Sequence, residues 1–226
     1  MSFEFEARFF ADLLREARVL PRRALVVGCG EGVEVGHLAR AVSAPVVGLD
    51  LAVDPRWARP GLHLVRADAR ALPFRDRAFE ALYCYHVLEH VPGPEAAVAE
   101  ARRVLAPGGL AFFGTPNRSR LVGYAGGRAT AWEKLRWNAA DYWKRLTGRW
   151  SNERGAHAGF SEPELARLLA PHFARVESVS LPYYLGKYPR LTRLWRTSFR
   201  FGLLRFLAPS VYFRATDGPP AGGTLD

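Results

Sequence analysis

Cysteine is nearly absent: the 226-residue chain holds two, Cys29 and Cys84, with no CxxC pair and no cysteine/histidine cluster. This excludes a disulfide framework and a structural zinc site. Long apolar runs are missing too, since no stretch approaches the roughly 18 uninterrupted apolar residues of a membrane span. The first 20 residues carry Glu4, Glu6, Asp12 and Glu16 among their apolar positions, not the basic-then-apolar grading of a signal peptide, so a cytoplasmic location is expected. Lysine is scarce, with Lys134, Lys144 and Lys187 the only three among 32 basic residues. That bias does not by itself imply phosphate binding. Internal repeats and low-complexity stretches are also lacking. What remains, 49% hydrophobic and 24% charged residues, suits one globular domain with a sizeable core.

The net charge of +10 is unevenly placed. Residues 1–117 are neutral, with 14 arginines against 14 acids. Residues 118–154 carry +6, and residues 187–214 carry +7 with no acid at all. Any electrostatic partner is therefore expected to meet the second half of the chain.

The neutral half alternates short β-branched runs with helical patterns, the signature of a parallel sheet with crossover helices. Strands are predicted at 24–27, 46–49, 62–66, 81–84 and 110–114, with helices at 33–42 and 94–105. An opening helix over 5–19 presents Phe5, Phe9, Phe10, Leu13 and Leu14 on one face, a cap for the sheet. Ser161-Glu162-Pro163-Glu164 reads as a helix start, and strands at 175–181 and 210–215 complete seven. The expected unit is a single domain over 1–216: a Rossmann-like α/β fold, with a seven-stranded, mostly parallel sheet and helices on both faces. Residues 1–20 form its cap, 118–156 and 187–208 are insertions, and 217–226 is a disordered tail.

The strongest local signal is Leu25-Val26-Val27-Gly28-Cys29-Gly30-Glu31-Gly32, an apolar strand running into alternate glycines and then a helix. Glycine lets the backbone turn sharply and approach a ligand, and the helix start behind it favours negative charge. Asp50 ends the next strand 20 residues after Gly30, where an acid hydrogen-bonds ribose hydroxyls in such folds. This spacing alone leaves a nicotinamide dinucleotide open as the ligand. Against it, position 33 is Val where GxGxxG needs its third glycine, and a second acid, Asp68, ends the third strand.

Further along come Val87-Leu88-Glu89-His90-Val91 and Leu105-Ala106-Pro107-Gly108-Gly109. With these in order, the chain resembles the class I S-adenosylmethionine-dependent methyltransferases, in the branch carrying these two motifs, over about 24–117 and again from His157 to Leu181. The resemblance implies that Gly28, Cys29 and Gly30 pass under the methionine part of S-adenosyl-L-methionine, with Glu31 at the mouth of the turn. It places Asp50 on the ribose hydroxyls, Leu51 on the adenine face, and Asp68 and Ala69 at the adenine edge. Tyr85 and His86 would lie beside the sulfonium and the entering acceptor. His90 is the first candidate for general base and His86 the second. Quinone-type O-methyltransferases that resemble this branch hold a divalent cation with Glu-x-x-Glu-His. Here His86 replaces the first Glu, and His86, Glu89 and His90 are read as one side of a helix lining the pocket without metal. Glu80 stands where the family usually has Asp, a mild departure.

The expected reaction is methyl transfer to an oxygen of a small-molecule or lipid-like acceptor. The two insertions are expected to cover the acceptor site as a lid. On a helical wheel Arg193, Arg196 and Arg200 gather opposite Leu191, Trp195, Phe199 and Phe206, a pattern that also fits peripheral contact with a membrane surface. Two alternatives stand beside this: an RNA-directed methyltransferase, and a non-catalytic protein that keeps the fold and docks a partner through its basic aromatic segments. Against RNA, the fourth strand ends in Cys84-Tyr85-His86-Val87, not in the Asn/Asp-Pro-Pro-aromatic motif of base-amine methylation.

Overall fold

A computed structural model of the chain describes residues 3–57, 62–121, 123, 129–152 and 158–217. Its centre is β1 (Ala24–Val27), buried throughout and flanked by two parallel neighbours, β2 (Val46–Asp50) and β4 (Phe79–Tyr85). Continuous apolar runs such as Ala-Leu-Val-Val belong in strands covered on both faces, which is how a parallel sheet buries itself. With β3 (His63–Arg66), β5 (Leu105–Pro116), β6 (Arg175–Ser178) and β7 (Ser210–Thr216), the order across the sheet is β3-β2-β1-β4-β5-β7-β6. Only β7 runs antiparallel, between β5 and β6. The expected seven-stranded, mostly parallel architecture is thus the observed one.

Two apolar layers sandwich the sheet. On one face α3 (Pro94–Val104) and α5 (Glu162–Leu169) bring Val98, Leu165 and Leu169 onto Leu25, Leu82 and Phe113. On the other, α1 (Glu4–Glu16), α2 (Val33–Val42) and α6 (Ser180–Lys187) pack Phe10, Leu38 and Tyr183 onto Val26, Tyr83 and Phe112. The opening helix is therefore a sheet cap. Glu80 fastens its exit by accepting the Arg22 and Arg23 amides, both at 3.0 Å.

Several boundaries differ from expectation. The opening helix stops at Glu16, and Arg18 takes the left-handed region at φ 55°. The sixth strand ends at Ser178, because Val179, Tyr183 and Tyr184 turn into the core as α6, whose proline falls in the first turn where its missing N–H costs nothing. Strand β5 starts at Leu105, and residues 106–109 bulge out between the pairs Phe79–Leu105 and Ala81–Leu110. At the C-terminal end, Asp217 is held by Arg102, and residues 218–226 lie outside the described residues, as do His157 and parts of the first insertion.

Each insertion contributes helices of its own. The first carries α4 (Ala131–Leu146), started by a Thr130–Glu133 capping box, and tied back by a buried Arg120–Asp141 pair at 3.2 Å. The second carries α7 (Thr192–Arg200) and the single turn α8 (Leu204–Leu207). No helix among the described residues is long and apolar enough to cross a membrane.

Candidate active site

The C-terminal ends of β1, β2 and β4 open onto a cleft of about 210 Å³. Its walls include Gly28, Asp50, Leu51, Asp68, Ala69 and the pair His86 and His90. Seven of the expected residues are thus brought together. Cys29, Gly30, Glu31 and Tyr85 do not line the cleft wall.

The turn after β1 explains the floor. Gly28, Gly30 and Gly32 all have positive φ, at 76°, 49° and 79°. At Gly28 a Cβ would stand 2.1 Å from Val87 Cγ2, so the backbone there is bare by necessity. The Gly28 and Cys29 amides donate to the Leu49 carbonyl at 2.7 and 3.0 Å, folding the turn against β2. Cys29 is buried, and burial pushes its thiol up to about 12, so only its backbone is available to a ligand.

Asp50 holds the turn from the other side. Its Oδ2 accepts the Gly30 amide at 2.8 Å and its Oδ1 accepts the Ala52 amide at 3.1 Å. Each oxygen keeps a further acceptor position, which fits a vicinal diol. Leu51 beside it is 64% exposed, an apolar side chain open to a planar ring. Asp68 differs. Arg70 grips both its oxygens, with Nη2 at 2.7 Å from Oδ2 and the backbone amide at 2.8 Å from Oδ1, and these bonds hold the carboxyl below its usual range. A ligand amine at Asp68 therefore shares it with Arg70, a residue that sequence reasoning passed over although it stands two positions away.

His86, Glu89 and His90 do not share a helix face. His86 ends β4 in the left-handed region at φ 56°, its amide donating to Gly114 at 2.8 Å, and Glu89 and His90 sit in a single 3₁₀ turn, Leu88–His90. The chain reversal nevertheless centres both imidazoles on one carboxylate oxygen. Glu89 Oε1 lies 3.6 Å from His86 Nδ1 and 3.8 Å from His90 Nε2, beyond hydrogen-bond reach but within ion-pair reach. A non-glycine residue held in this backbone region is the kind of strain found at functional sites.

The electrostatics of the group follow from burial. The Glu89 side chain is 1% exposed, its Oε2 has no hydrogen-bond partner, and burial pushes the carboxyl up to about 7 against its own backbone hydrogen bond and Arg120. His86 is pushed down to about 4 by desolvation, then by His90, Arg120 and Lys187, so it is neutral at physiological pH. Its Nε2 faces Ser210 Oγ at 3.4 Å. Arg120, Lys187 and Ser210 come from the two basic segments and β7, and nothing in the local sequence marked them as neighbours of His86. Among the described residues no group of three or more His, Cys, Asp or Glu is placed to hold a metal ion.

Tyr85 points to the other side of the sheet. Its ring stacks on Tyr212 at 6.2 Å and touches His86 at 4.3 Å, supporting the histidine from behind. Gly30 and Glu31 are exposed at the turn outside the cleft wall.

Comparison with known proteins agrees with this geometry. Residues 25–113 match the Methyltransferase domain family. A ubiquinone biosynthesis O-methyltransferase of Paracidovorax citrulli is 37% identical over 109 residues, which are 43% of this chain and 45% of that protein. The chain thus spans less than half the length of this curated relative. Among solved structures, a putative sarcosine dimethylglycine methyltransferase from Galdieria sulphuraria superposes with a TM-score of 0.54 at 15% identity, over 93% of this chain and 83% of that one. Geranyl diphosphate methyltransferase in complex with S-adenosylmethionine gives 0.52 at 16%, over 94% and 83%. At such identities these two show the fold alone. Glycine turn, paired acids, strand order and family match converge on one region: residues 25–113, which match the Methyltransferase domain family, carry the cleft on a Rossmann-like, mostly parallel sheet.

Proposed function

We propose that this protein transfers a methyl group from S-adenosyl-L-methionine to a hydroxyl oxygen of a small, largely apolar acceptor. The observation that carries the proposal is the meeting, in one cleft, of Asp50, whose oxygens keep free acceptor positions, with His86 and His90 set around the buried Glu89.

The cleft fits the cofactor on its own evidence: bare backbone at Gly28, free acceptor positions on Asp50 and an uncovered Leu51. Asp50 would hold the ribose, Leu51 and Ala69 the adenine, with Asp68 and Arg70 at its edge, and the Gly28–Gly30 backbone the amino-acid part. The bound cofactor supplies a methyl group already activated on a cationic sulfur. The chain's own task is then to position an acceptor in line and to take its proton. His86 is suited to that task, since its depressed basicity keeps a lone pair free at neutral pH. His90, more exposed at 49%, stands at the rim and is the second candidate. Glu89 lies between the two and stabilises whichever imidazole becomes charged. The O-methyltransferase relative supports oxygen as the methylated atom, and the aromatic content of the insertions supports an apolar acceptor, although none of their described residues lines the cleft.

The test has two steps. Titration calorimetry with S-adenosylhomocysteine, with NAD as control, should give micromolar binding of the former only. Incubation with S-adenosylmethionine and a panel of aromatic phenols, amines and carboxylates, read by mass spectrometry, should then give methyl ethers. His86→Gln and His90→Gln should lower turnover without weakening S-adenosylhomocysteine. Methylated amines in place of ethers would sink the oxygen assignment, and no cofactor binding would leave a fold without catalysis.

A further inference from the structure

The turn joining α7 to α8 displays apolar side chains that nothing in the described chain covers. Phe199 is 60% exposed, Phe201 67% and Leu203 46%, in the run Phe199-Arg200-Phe201-Gly202-Leu203-Leu204-Arg205. On the helical wheel Trp195 and Phe206 share the apolar side opposite the arginines. In the structure that side packs inward at Trp195, buried with its ring 4.6 Å from Tyr184, and Phe206 is half-buried, so the exposed apolar surface lies at the turn. Three amides of this turn are engaged: Phe201 donates to Thr197 at 3.1 Å, Gly202 to Phe199 at 3.1 Å, and Leu203 to Ser198 at 2.7 Å. Gly202 has φ 66° with open space where a Cβ would stand. Leu204, buried beneath, anchors the turn to the domain. With these three amides paired, the tip leaves fewer backbone donors to be stripped of water on entering an apolar phase.

Charge defines the partner. Arg190, Arg193, Arg196, Arg200 and Arg205 lie exposed along the segment that carries the tip, residues 187–214 contain no acid, and none of these five arginines forms an ion pair among the described residues. The Arg200 and Arg205 guanidinium groups lie over the rings of Phe201 and Phe206, at 6.0 and 4.6 Å, so cation and apolar ring act as one surface. We propose that this turn seats the protein on an anionic lipid surface, with Phe199, Phe201 and Leu203 in the headgroup–acyl boundary and the arginines on the lipid phosphates. Nucleic acid fits less well, because Leu191, Leu194, Leu203 and Leu207, all more than a third exposed, gain nothing by stacking on bases but partition into acyl chains. The proposal is independent of the methyl-transfer reading.

Flotation of the full chain with vesicles tests it. Binding is expected to vesicles of phosphatidylcholine with phosphatidylglycerol, to be absent from phosphatidylcholine alone, and to fall with added salt. Changing Arg193, Arg196 and Arg200 together to Gln should weaken partition by roughly fivefold per arginine. Phe201→Ser with Leu203→Ser should weaken it by roughly tenfold or more, while S-adenosylhomocysteine affinity and the far-ultraviolet spectrum stay as in the wild type. Energy transfer from the native tryptophans to a dansyl-labelled lipid reads contact with no substitution at all. No partition to the anionic vesicles at low salt, partition indifferent to both variants, or salt-dependent capture of single-stranded RNA without vesicle binding would each overturn the proposal.

Discussion

Glu34 is a buried acid without a use in the proposed chemistry, and replacing it should make the protein more stable at neutral pH. Its residue is 7% exposed, its Oε1 has no hydrogen-bond partner, and it faces Glu6, itself 5% exposed, beneath Tyr83. Burial first and the Glu6 charge second push the carboxyl from 4.5 up to about 8. The folded state therefore binds this proton more tightly than the unfolded one. Its contribution to stability is complete below pH 4.5 and is lost as pH rises through the window from 4.5 to about 8. One proton across that window is worth at most 1.36 kcal/mol per pH unit, so roughly 3 kcal/mol has gone by pH 7. Glu34→Gln resembles the protonated acid in shape and does not titrate. Paired urea melts of wild type and variant, followed by far-ultraviolet dichroism, should agree near pH 4.5 and diverge in favour of the variant as pH rises. Other titrating groups, such as Glu89 and His86, are common to both proteins and cancel in the difference. Parallel stability profiles from pH 5 to 8 would refute the reasoning, because they would mean that Glu34 meets water or a partner when charged.

Asp50→Asn should weaken S-adenosylhomocysteine by roughly ten- to a hundredfold in calorimetry, since a charged acceptor is lost and an amide is placed against the Gly30 and Ala52 donors. Asp68→Asn should cost less, because Arg70 already occupies that carboxylate; an equal loss would show that the cofactor displaces Arg70. Gly28→Ala should lower both thermal stability and cofactor affinity, as its Cβ overlaps Val87 in a left-handed backbone. Adding Val87→Ala should restore part of each, and no rescue would place the strain elsewhere. In Glu89→Gln, a limb of the turnover-against-pH curve near pH 7, with activity rising as the carboxylate ionises, should disappear. An unchanged limb would assign that titration to another group.

What the sequence disclosed and what it withheld divide along physical lines. Adjacent-strand features were legible, because β-branched runs, glycine turns and acids at strand ends act over a few residues. The starts of α2, α3 and α5 were legible for the same reason, through glycine, proline and a Ser161–Glu164 capping box. The geometry of His86, Glu89 and His90 was not: helical spacing was assumed, whereas Val87 and the left-handed His86 reverse the chain before a 3₁₀ turn. The side chains around His86 were also hidden. Arg120, Lys187 and Ser210 arrive from segments 34 to 124 positions away, and in a chain rich in arginine no local pattern singles out one of them. The wheel separated the apolar from the basic side of α7 but could not name what the apolar side meets; Tyr184 and Tyr188 supply Trp195 with an aromatic floor.

This division bears on the acceptor. Every residue lining the cleft lies between Val27 and Pro92, inside the region 25–113 that matches the Methyltransferase domain. The groups that reach His86 from outside that region, Arg120, Lys187 and Ser210, are held by contacts peculiar to the rest of the chain. Arg120 is clamped by Asp141 and lies 4.9 Å over Trp150, while Lys187 is fixed by Glu6 at 2.5 Å and Tyr183 at 2.8 Å. Under the proposed function, cofactor binding would rest on the matched region and acceptor choice on the rest of the chain. If so, Lys187→Met should leave S-adenosylhomocysteine affinity unchanged and alter which phenols in the panel are methylated. A shift in cofactor affinity with an unchanged acceptor profile would reverse the assignment and make Lys187 part of the donor site.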